Sequence, residues 1–397
     1  MRHHLKFLAG FALIFAMNAK AATAEKDWNF LIFLNGINNL DDDATMNLKQ
    51  MEEVGSNDRL NIVVQWGSAS RPSVDRLLVQ KTTNPDIVSS PVVQSLGAVD
   101  MGSANSVVDF VNWAQANYPS KKTFLAIWDH GGGWHIQKPG NHGTMSPQDI
   151  SWDDHSGNHI TTEQLGHAMR QIRGILGHKV DVYGSDACLM GMAEVADQMG
   201  TAVDYYVGSQ DTEPGAGWPY NSFLKAWTAN MEMTPKDVAA LLANEYVKAY
   251  NPGGVYGDQG QQVTLAAYDL SQMVPFRKSI YALTKKLMSA SDAQIQAMKT
   301  AAATAKSFQQ SEDYKDLIDL LDKTGMDTFA PAESAAVRAA HGNLVIANGQ
   351  NQDQVTHGLS IWLPSEQYNY TTYQERYSNL LFSEHTHWGD FVQRMNK

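Results

Sequence analysis

The chain has 397 residues, 43% of them hydrophobic and 18% charged, and its 30 basic and 42 acidic residues give a formal net charge of −12. This composition is typical of a globular protein and excludes collagen, wholesale disorder and a long coiled coil. An acidic chain repels phosphate, so we expect no nucleic-acid partner. A single cysteine excludes an internal disulfide framework and cysteine-rich metal sites, which raises the question of what its thiol does.

Residues 1–21 have the pattern of a secretory signal peptide. Arg2 and Lys6 precede an apolar run at 7–17, and residues 19–21 supply a small-x-small cleavage signal. The run is too short to cross a bilayer comfortably, and no later stretch reaches about 18 apolar residues. We therefore expect an exported bacterial protein, periplasmic or extracellular, without a membrane span.

Strands and helices alternate along the first two thirds of the chain. Buried strands are predicted at 28–36, 60–66, 123–128, 180–183 and 204–208, with a hairpin formed by 76–81 and 87–96. Helical patterns begin at residue 41 and cover 107–118, 160–176 and 190–199. Thr161 and Gln164 form a capping box for the third of these helices. This alternation predicts an α/β fold, with a mostly parallel sheet covered by helices on both faces.

The pattern changes towards the C-terminus. Helical patterns at 235–249, 271–304 and 309–324 dominate, interrupted by strand-like runs at 263–268 and 359–364. We therefore divide the chain into a signal peptide (1–21), an α/β domain (22–270) and a mainly helical region (271–397) that returns a strand to the sheet.

Chemically reactive residues follow two of the predicted strands. One strand runs into His130 and a glycine triplet that begins at Gly131, and another runs into Asp186 and Cys188. Ligands of open parallel sheets bind at these strand ends, where a Cys/His pair would supply a nucleophile and a proton-transfer partner. Taken alone, Cys188 is typical of a small buried hydrophobic residue, and His130 of a histidine in a turn. Their placement together at two strand ends favours a catalytic role. Gly131 lacks a Cβ, so substrate can approach and its N–H can serve as an oxyanion donor.

Two other functions stay open as alternatives. Residues 130–134 (His-Gly-Gly-Gly-Trp) resemble the oxyanion element of lipases and esterases, although the sequence has no Gly-x-Ser-x-Gly nucleophile elbow. The protein could also be an exported binding or scaffold protein with an idle Cys/His pair.

The sequence favours no metal site or cofactor. Asp153, Asp154, His155 and His159 are typical of a polar loop, and residues 41–43 of a helix start. Zinc, EF-hand, phosphate-loop and dinucleotide motifs are absent from the sequence.

The two strand ends resemble the clostripain family of caspase-like cysteine peptidases. His130-Gly131 and Asp186-Ala187-Cys188 carry the resemblance. Further similar runs lie at 38–40, 152–157, 188–192, 209–218 and 357–361, so the resemblance covers about residues 28–364. It implies a caspase-like α/β/α sandwich.

The resemblance also implies a role for each residue. Cys188 would attack the scissile carbonyl to form a thioester, and His130 would give a proton to the leaving amine. Backbone N–H groups of Gly131 and Cys188 would hold the oxyanion. Asp186 would form the acidic floor of a pocket for Arg or Lys, and Asp211 would add to its wall.

The expected protein is thus a monomeric, exported endopeptidase that acts on proteins or peptides with basic residues. Family members are often zymogens cut after a basic residue between His and Cys, and the candidate here is Lys138, although the following Pro139 disfavours cleavage. Some relatives depend on calcium and others do not, and the sequence leaves calcium dependence open.

Overall fold

A computed structural model describes residues 24–84, 86–135, 149–308, 311–352, 355–365 and 367–397. The predicted signal peptide at 1–21 and the cleavage candidate Lys138 lie outside these residues. Within them, no helix combines the length and the apolar character that a membrane crossing requires.

The described residues form fourteen strands and fourteen α-helices. The strands are β1 (Lys26–Gly36), β2 (Leu60–Ser68), β3 (Asp75–Leu78), β4 (Val92–Ser95), β5 (Ser120–Trp128), β6 (Ile150–Asp153), β7 (Asn158–Ile160), β8 (Val180–Asp186), β9 (Val203–Gly208), β10 (Thr264–Asp269), β11 (Ser307–Phe308), β12 (Ser311–Asp316), β13 (Val345–Gln350) and β14 (Ser360–Trp362). The helices are α1 (Asp41–Glu52), α2 (Ala104–Asn117), α3 (Thr162–Leu176), α4 (Ala193–Met199), α5 (Tyr220–Ala229), α6 (Pro235–Tyr250), α7 (Met273–Leu287), α8 (Asp292–Ala302), α9 (Leu317–Thr324), α10 (Met326–Phe329), α11 (Pro331–Leu344), α12 (Gln367–Ser378), α13 (Leu381–Thr386) and α14 (Trp388–Met395).

Nine strands form one sheet in the order β13-β10-β9-β8-β5-β1-β2-β3-β4. The five central strands, from β9 to β2, are parallel, and antiparallel strands extend both edges. The chain leaves β1 in one direction to β2 and later returns to β5 on the other side, so the strand order reverses between β1 and β5. Open α/β sheets bind their ligands at such a reversal, beyond the carboxyl ends of the strands.

Helices cover both faces of this sheet. Along β1, Leu31 and Phe33 belong to one apolar cluster, whereas Phe30 and Ile32 belong to another, because alternate residues of a strand face opposite sides. The first cluster includes α2, α3, α4 and α7, and the second includes α1, α5 and α6. The predicted three-layer α/β/α sandwich is confirmed.

Local signals in the sequence are also confirmed. Thr161 and Gln164 form the predicted capping box of α3, in which each residue's side chain accepts the other's backbone N–H. The predicted hairpin is the antiparallel pair of β3 and β4.

The predicted helix over 309–324 is wrong in its first half. There β12 pairs with β14 in a separate three-stranded sheet, and the helix begins only at Leu317. Asp316 sets this boundary, because its carboxylate accepts N–H bonds from Ile318 (3.1 Å) and Asp319 (3.0 Å) as a helix cap.

A strand from the C-terminal region does join the main sheet, but it is β13 and not the run at 359–364. An Asn-Gly pair at 348–349 indicates a turn in the sequence, yet it lies inside β13. A Cβ at Gly349 would lie 2.8 Å from the Ala243 carbonyl oxygen of α6, so the glycine permits this packing.

The C-terminal region also holds a loop of the α/β domain in place. Arg376 of α12 donates two hydrogen bonds to the buried carboxylate of Asp149. It donates two more to the carboxylate of Glu163 on α3. The Asp149 carbonyl in turn accepts the N–H of Gly132 (2.7 Å). The helical extension therefore positions the chain beside the glycine triplet. The division at residue 270 stays a prediction, since one apolar cluster contains residues from both sides of it.

Candidate active site

The sheet register brings His130 and Cys188 to the same edge. Trp128 at the end of β5 pairs with Asp186 at the end of β8, and Asp129 N–H donates to the Asp186 carbonyl (3.2 Å). His130 and Cys188 each lie two residues beyond this pair.

Both residues therefore line one cavity of about 270 Å³. The described residues that line this active-site cavity are Leu40, Trp128, Asp129, His130, Asp186, Ala187, Cys188, Thr212, Glu213, Pro214, Gly215, Gly217, Gln261 and Gln262.

Gly131 packs directly against the backbone of Cys188. A Cβ at Gly131 would lie 2.4 Å from the Cys188 carbonyl oxygen and 2.9 Å from the Ala187 Cβ. Hydrogen bonds to β6 use the neighbouring peptide groups, His130 C=O and Gly132 N–H. The Gly131 N–H is left outside this pairing and points away from β6, as in any non-hydrogen-bonded pair.

His130 and its neighbour Asp129 are held by asparagines at the end of β1 and just beyond it. His130 Nε2 contacts Asn39 Oδ1 at 2.8 Å, and because this oxygen only accepts, Nε2 carries the proton and Nδ1 is free to act as a base. Its backbone N–H donates to the buried Asp129 carboxylate (2.6 Å), which also accepts from Asn35 and Asn38. Burial lowers the pKa of His130, so its imidazole is neutral at neutral pH.

The Cys188 thiol is in contact with the backbone of Glu213. The Glu213 N–H donates to Sγ (3.2 Å), and the thiol donates to the Glu213 carbonyl (3.7 Å). Burial raises the pKa of Cys188 to about 11, helped by the charges of Asp211 and Asp186. The free protein therefore holds a neutral thiol and a neutral imidazole in the same cavity, and the thiol proton must leave during attack on a substrate.

Asp186 is one of the residues that line the cavity and is 3% exposed. Its Oδ2 accepts from the Tyr220 hydroxyl (2.8 Å) and from the Trp218 N–H (3.4 Å). A Cβ at Gly217 would lie only 3.0 Å from Asp186 Oδ1. Gly217 also has a positive φ of 59°, so both the close contact and the backbone conformation favour glycine at this position. Asn47 of α1 holds the same loop by donating to the Ala216 carbonyl (2.9 Å).

The structure places Asp211 differently from the other predicted site residues. It is buried outside the cavity lining, where its carbonyl accepts the Leu189 N–H (3.1 Å) and its carboxylate accepts the Thr212 N–H (2.8 Å). The acid that faces the cavity beside Asp186 is Glu213.

Two site residues were missed by sequence reasoning. Asn39 and Glu213 both lie in runs that carry the family resemblance, 38–40 and 209–218, but nothing in those runs marks which polar residue contacts His130 or lines the cavity. In the described part of the chain, no three His, Cys, Asp or Glu side chains come together as metal ligands. Asp153 instead accepts backbone N–H groups of Met101, His155 and Ser156.

Comparisons with known proteins agree with this architecture. An X-ray structure of an inactive zymogen C11 protease from Parabacteroides distasonis has a TM-score of 0.69 at 16% identity, covering 92% of this chain and 99% of that chain. A secreted C11 cysteine protease from Bacteroides thetaiotaomicron, solved with an irreversible peptide inhibitor, has a TM-score of 0.64 at 19% identity, covering 91% and 99%. The chain therefore has the fold of these proteases, which confirms the predicted fold class.

The sequence comparison then gives the family. The clostripain family model matches residues 32–394. Clostripain of Hathewaya histolytica is 25% identical over 324 residues, which are 69% of this chain and 59% of clostripain, so the chain spans less than two thirds of that relative. The chain belongs to the clostripain family of cysteine peptidases.

The contact between Gly131 and Cys188 can be tested by substitution. Gly131→Ala should lower kcat by roughly 100-fold or more, because the added methyl group would displace Cys188, the predicted nucleophile, and the N–H groups predicted to hold the oxyanion. The matched control is Gly174→Ala on the exposed face of α3, where a Cβ meets nothing within 4 Å. That variant should keep full activity and gain about 0.5–1 kcal/mol of stability. Equal activity of the two variants in a peptide-cleavage assay would contradict the predicted role of Gly131.

Proposed function

We propose that the protein is an exported cysteine endopeptidase that hydrolyses peptide bonds after Arg or Lys, acting as a monomer. The observation that carries this proposal is one cavity lined by a thiol, an imidazole and a buried carboxyl: Cys188, His130 and Asp186. All three come from a single chain, so catalysis needs no second copy.

In the proposed mechanism, the substrate's basic side chain enters the cavity towards Asp186 and brings the next carbonyl carbon to Cys188. Sγ attacks this carbon while His130 Nδ1 takes the thiol proton, and N–H groups of Gly131 and Cys188 stabilise the oxyanion. His130 then gives the proton to the leaving amine, which departs and leaves a thioester on Cys188. Water activated by His130 hydrolyses the thioester and frees the thiol.

Asn39 supports this mechanism as a positioning residue. By accepting the Nε2 proton, it keeps Nδ1 unprotonated for the first transfer and stabilises the imidazolium that forms. The lowered pKa of His130 favours return of the proton to the leaving amine.

Export is supported by the signal-peptide pattern at 1–21 and by the secreted relative from Bacteroides thetaiotaomicron. The esterase alternative needs a serine nucleophile, and the described lining of the cavity contains a cysteine and a threonine but no serine. We propose no metal or other cofactor, because the mechanism uses only side chains and backbone N–H groups.

The nucleophile is tested by Cys188→Ala. This variant should lose cleavage of Arg and Lys reporter peptides by at least about 10⁴-fold, as removal of a nucleophile does in other peptidases. An unchanged circular dichroism spectrum controls for folding. Retained peptide cleavage would refute the assignment, and retained hydrolysis of acyl esters would favour the esterase alternative. A wild-type protein that cleaves no peptide, and whose labelling by thiol reagents has no consequence, would favour the scaffold alternative.

The pocket is tested by Asp186→Asn. Loss of the charge should lower kcat/KM for Arg and Lys reporters by about 3 kcal/mol, or on the order of 100-fold, because the substrate cation would lose its partner in a buried site. A citrulline reporter, which is a neutral isostere of arginine, should change little in parallel assays. If Asp186→Asn keeps the wild-type ratio of Arg to citrulline cleavage, Asp186 does not select the basic side chain.

A further inference from the structure

Besides Asp129 and Asp186, the active-site cavity contains a third buried carboxyl group, that of Glu213, whose surroundings are unusual. Both side-chain oxygens of Glu213 are fully buried, and neither makes a hydrogen bond of ordinary geometry with a described residue. The Ala187 backbone N–H approaches the carboxyl, but its effect on the pKa of Glu213 is smaller than that of burial and of Asp186. The group that the Glu213 carboxyl meets is the carboxyl of Asp186. Ionised carboxylates only accept hydrogen bonds, so these two can bond only through a proton that one of them carries.

The surroundings offer no basic group that could replace this proton. The described lining of the cavity contains no lysine or arginine. The titratable groups that face the pair, its loop or the cavity are Tyr206, Tyr220, Tyr246, Tyr250, Tyr256, Cys188, His130, Asp43, Asp129 and Asp211. Burial raises the pKa of each of these tyrosines, which stay neutral, and His130 is neutral because burial lowers its pKa. Before substrate binds, a proton held between Asp186 and Glu213 therefore limits the repulsion between their carboxyl groups.

We propose that Glu213 is the second acid of the specificity pocket, and that it shares with Asp186 one proton which a substrate's cationic side chain replaces. This inference rests on the proposed function and extends it. When a guanidinium or ammonium group enters, the carboxyl O–H bond breaks and the proton leaves to solvent. Both ionised carboxylates then accept N–H bonds from the cation, so a pair of acids with one negative charge becomes a site with two only when a basic side chain arrives.

The direction of the pH effect follows from this exchange. Burial raises the pKa of Asp186 to about 7, and burial together with the charge of Asp186 raises that of Glu213 well above its usual range. The pair titrates as a unit, so these values belong to both groups together. Protons and the substrate cation compete for the same oxygens, so affinity for the cation rises with pH, by about tenfold per pH unit for each proton released.

Glu213→Gln separates the carboxyl from the other role of this residue. The Glu213 backbone N–H donates to Cys188 Sγ, and this contact does not depend on the side chain. Glutamine keeps the size of the side chain and can donate its N–H₂ to Asp186, but it carries no exchangeable acid proton.

The experiment is a calorimetric titration of the intact wild-type protein with n-propylguanidinium, the head group of an arginine side chain. Measured in two buffers of different ionisation enthalpy at about pH 8, above the pKa of about 7 that burial gives Asp186, the binding heat gives the number of protons released. Wild type should release on the order of one proton per cation bound, and Glu213→Gln close to none. The neutral analogue n-propylurea should release none from either protein.

The matched control is Glu194→Gln. Glu194 is also a buried acid, its pKa is raised by burial to about 7, and it accepts from Trp362 N–H and Tyr377 hydroxyl outside the active-site cavity. This variant should release as many protons as wild type, which shows that the effect belongs to the pocket and not to buried acids in general.

Binding of n-propylguanidinium to wild type without proton release, or equal release from Glu213→Gln, would overturn the inference while Arg and Lys cleavage stands. Failure of n-propylguanidinium to bind counts against the inference even if Arg reporters are cleaved. If reporters are not cleaved after Arg or Lys, the proposed function fails instead. The measured proton release would then belong to a pair of acids that does not select a basic substrate side chain.

Discussion

The parallel pairing of β5 with β8 is the constraint on which the rest of the site depends. Its register sets Trp128 opposite Asp186, so that the next residues of both strands leave the sheet at one level. His130 and Cys188 meet there although they are far apart in sequence. A slip of one residue in this register would turn one of the two side chains to the opposite face of the sheet. The apolar residues that pack on both faces of the central strands therefore fix the positions of the site residues as well as stabilising the fold.

At this edge of the sheet, the site is built from carboxyl groups whose burial costs free energy. Asp129 is buried among asparagines below His130, Asp149 is held by Arg376 from the C-terminal region, and Asp186 accepts from Tyr220. Buried carboxyls need such partners, because desolvation opposes their charge. Glu213 differs from the others because its partner is another acid. In the proposed mechanism the substrate supplies the missing positive charge, which links selection of the substrate to completion of the site.

The fold class and the candidate reactive residues could be predicted from the sequence because both depend on local patterns. Apolar runs mark the central strands, and His130 and Cys188 follow two of them directly. The positions of Asn39 and Glu213 depend instead on how two loops meet over the sheet edge, which no local pattern encodes. The strand β13 could not be predicted for the same reason. Its Asn-Gly pair is typical of a turn, and only the packing of α6 against Gly349 explains why a strand forms there. Likewise, the strand β12 forms because β14, distant in sequence, supplies its partner.

The central claim is that Cys188 attacks a carbonyl whose neighbouring basic side chain occupies the pocket above Asp186. The most direct measurement is labelling of the wild-type protein with a peptidyl acyloxymethyl ketone that carries arginine next to the reactive group, mapped by tandem mass spectrometry. We expect one thioether adduct, on Cys188, formed much faster than with the citrulline counterpart and slowed by n-propylguanidinium. Labelling at another residue, or equal rates for the arginine and citrulline reagents, would contradict it.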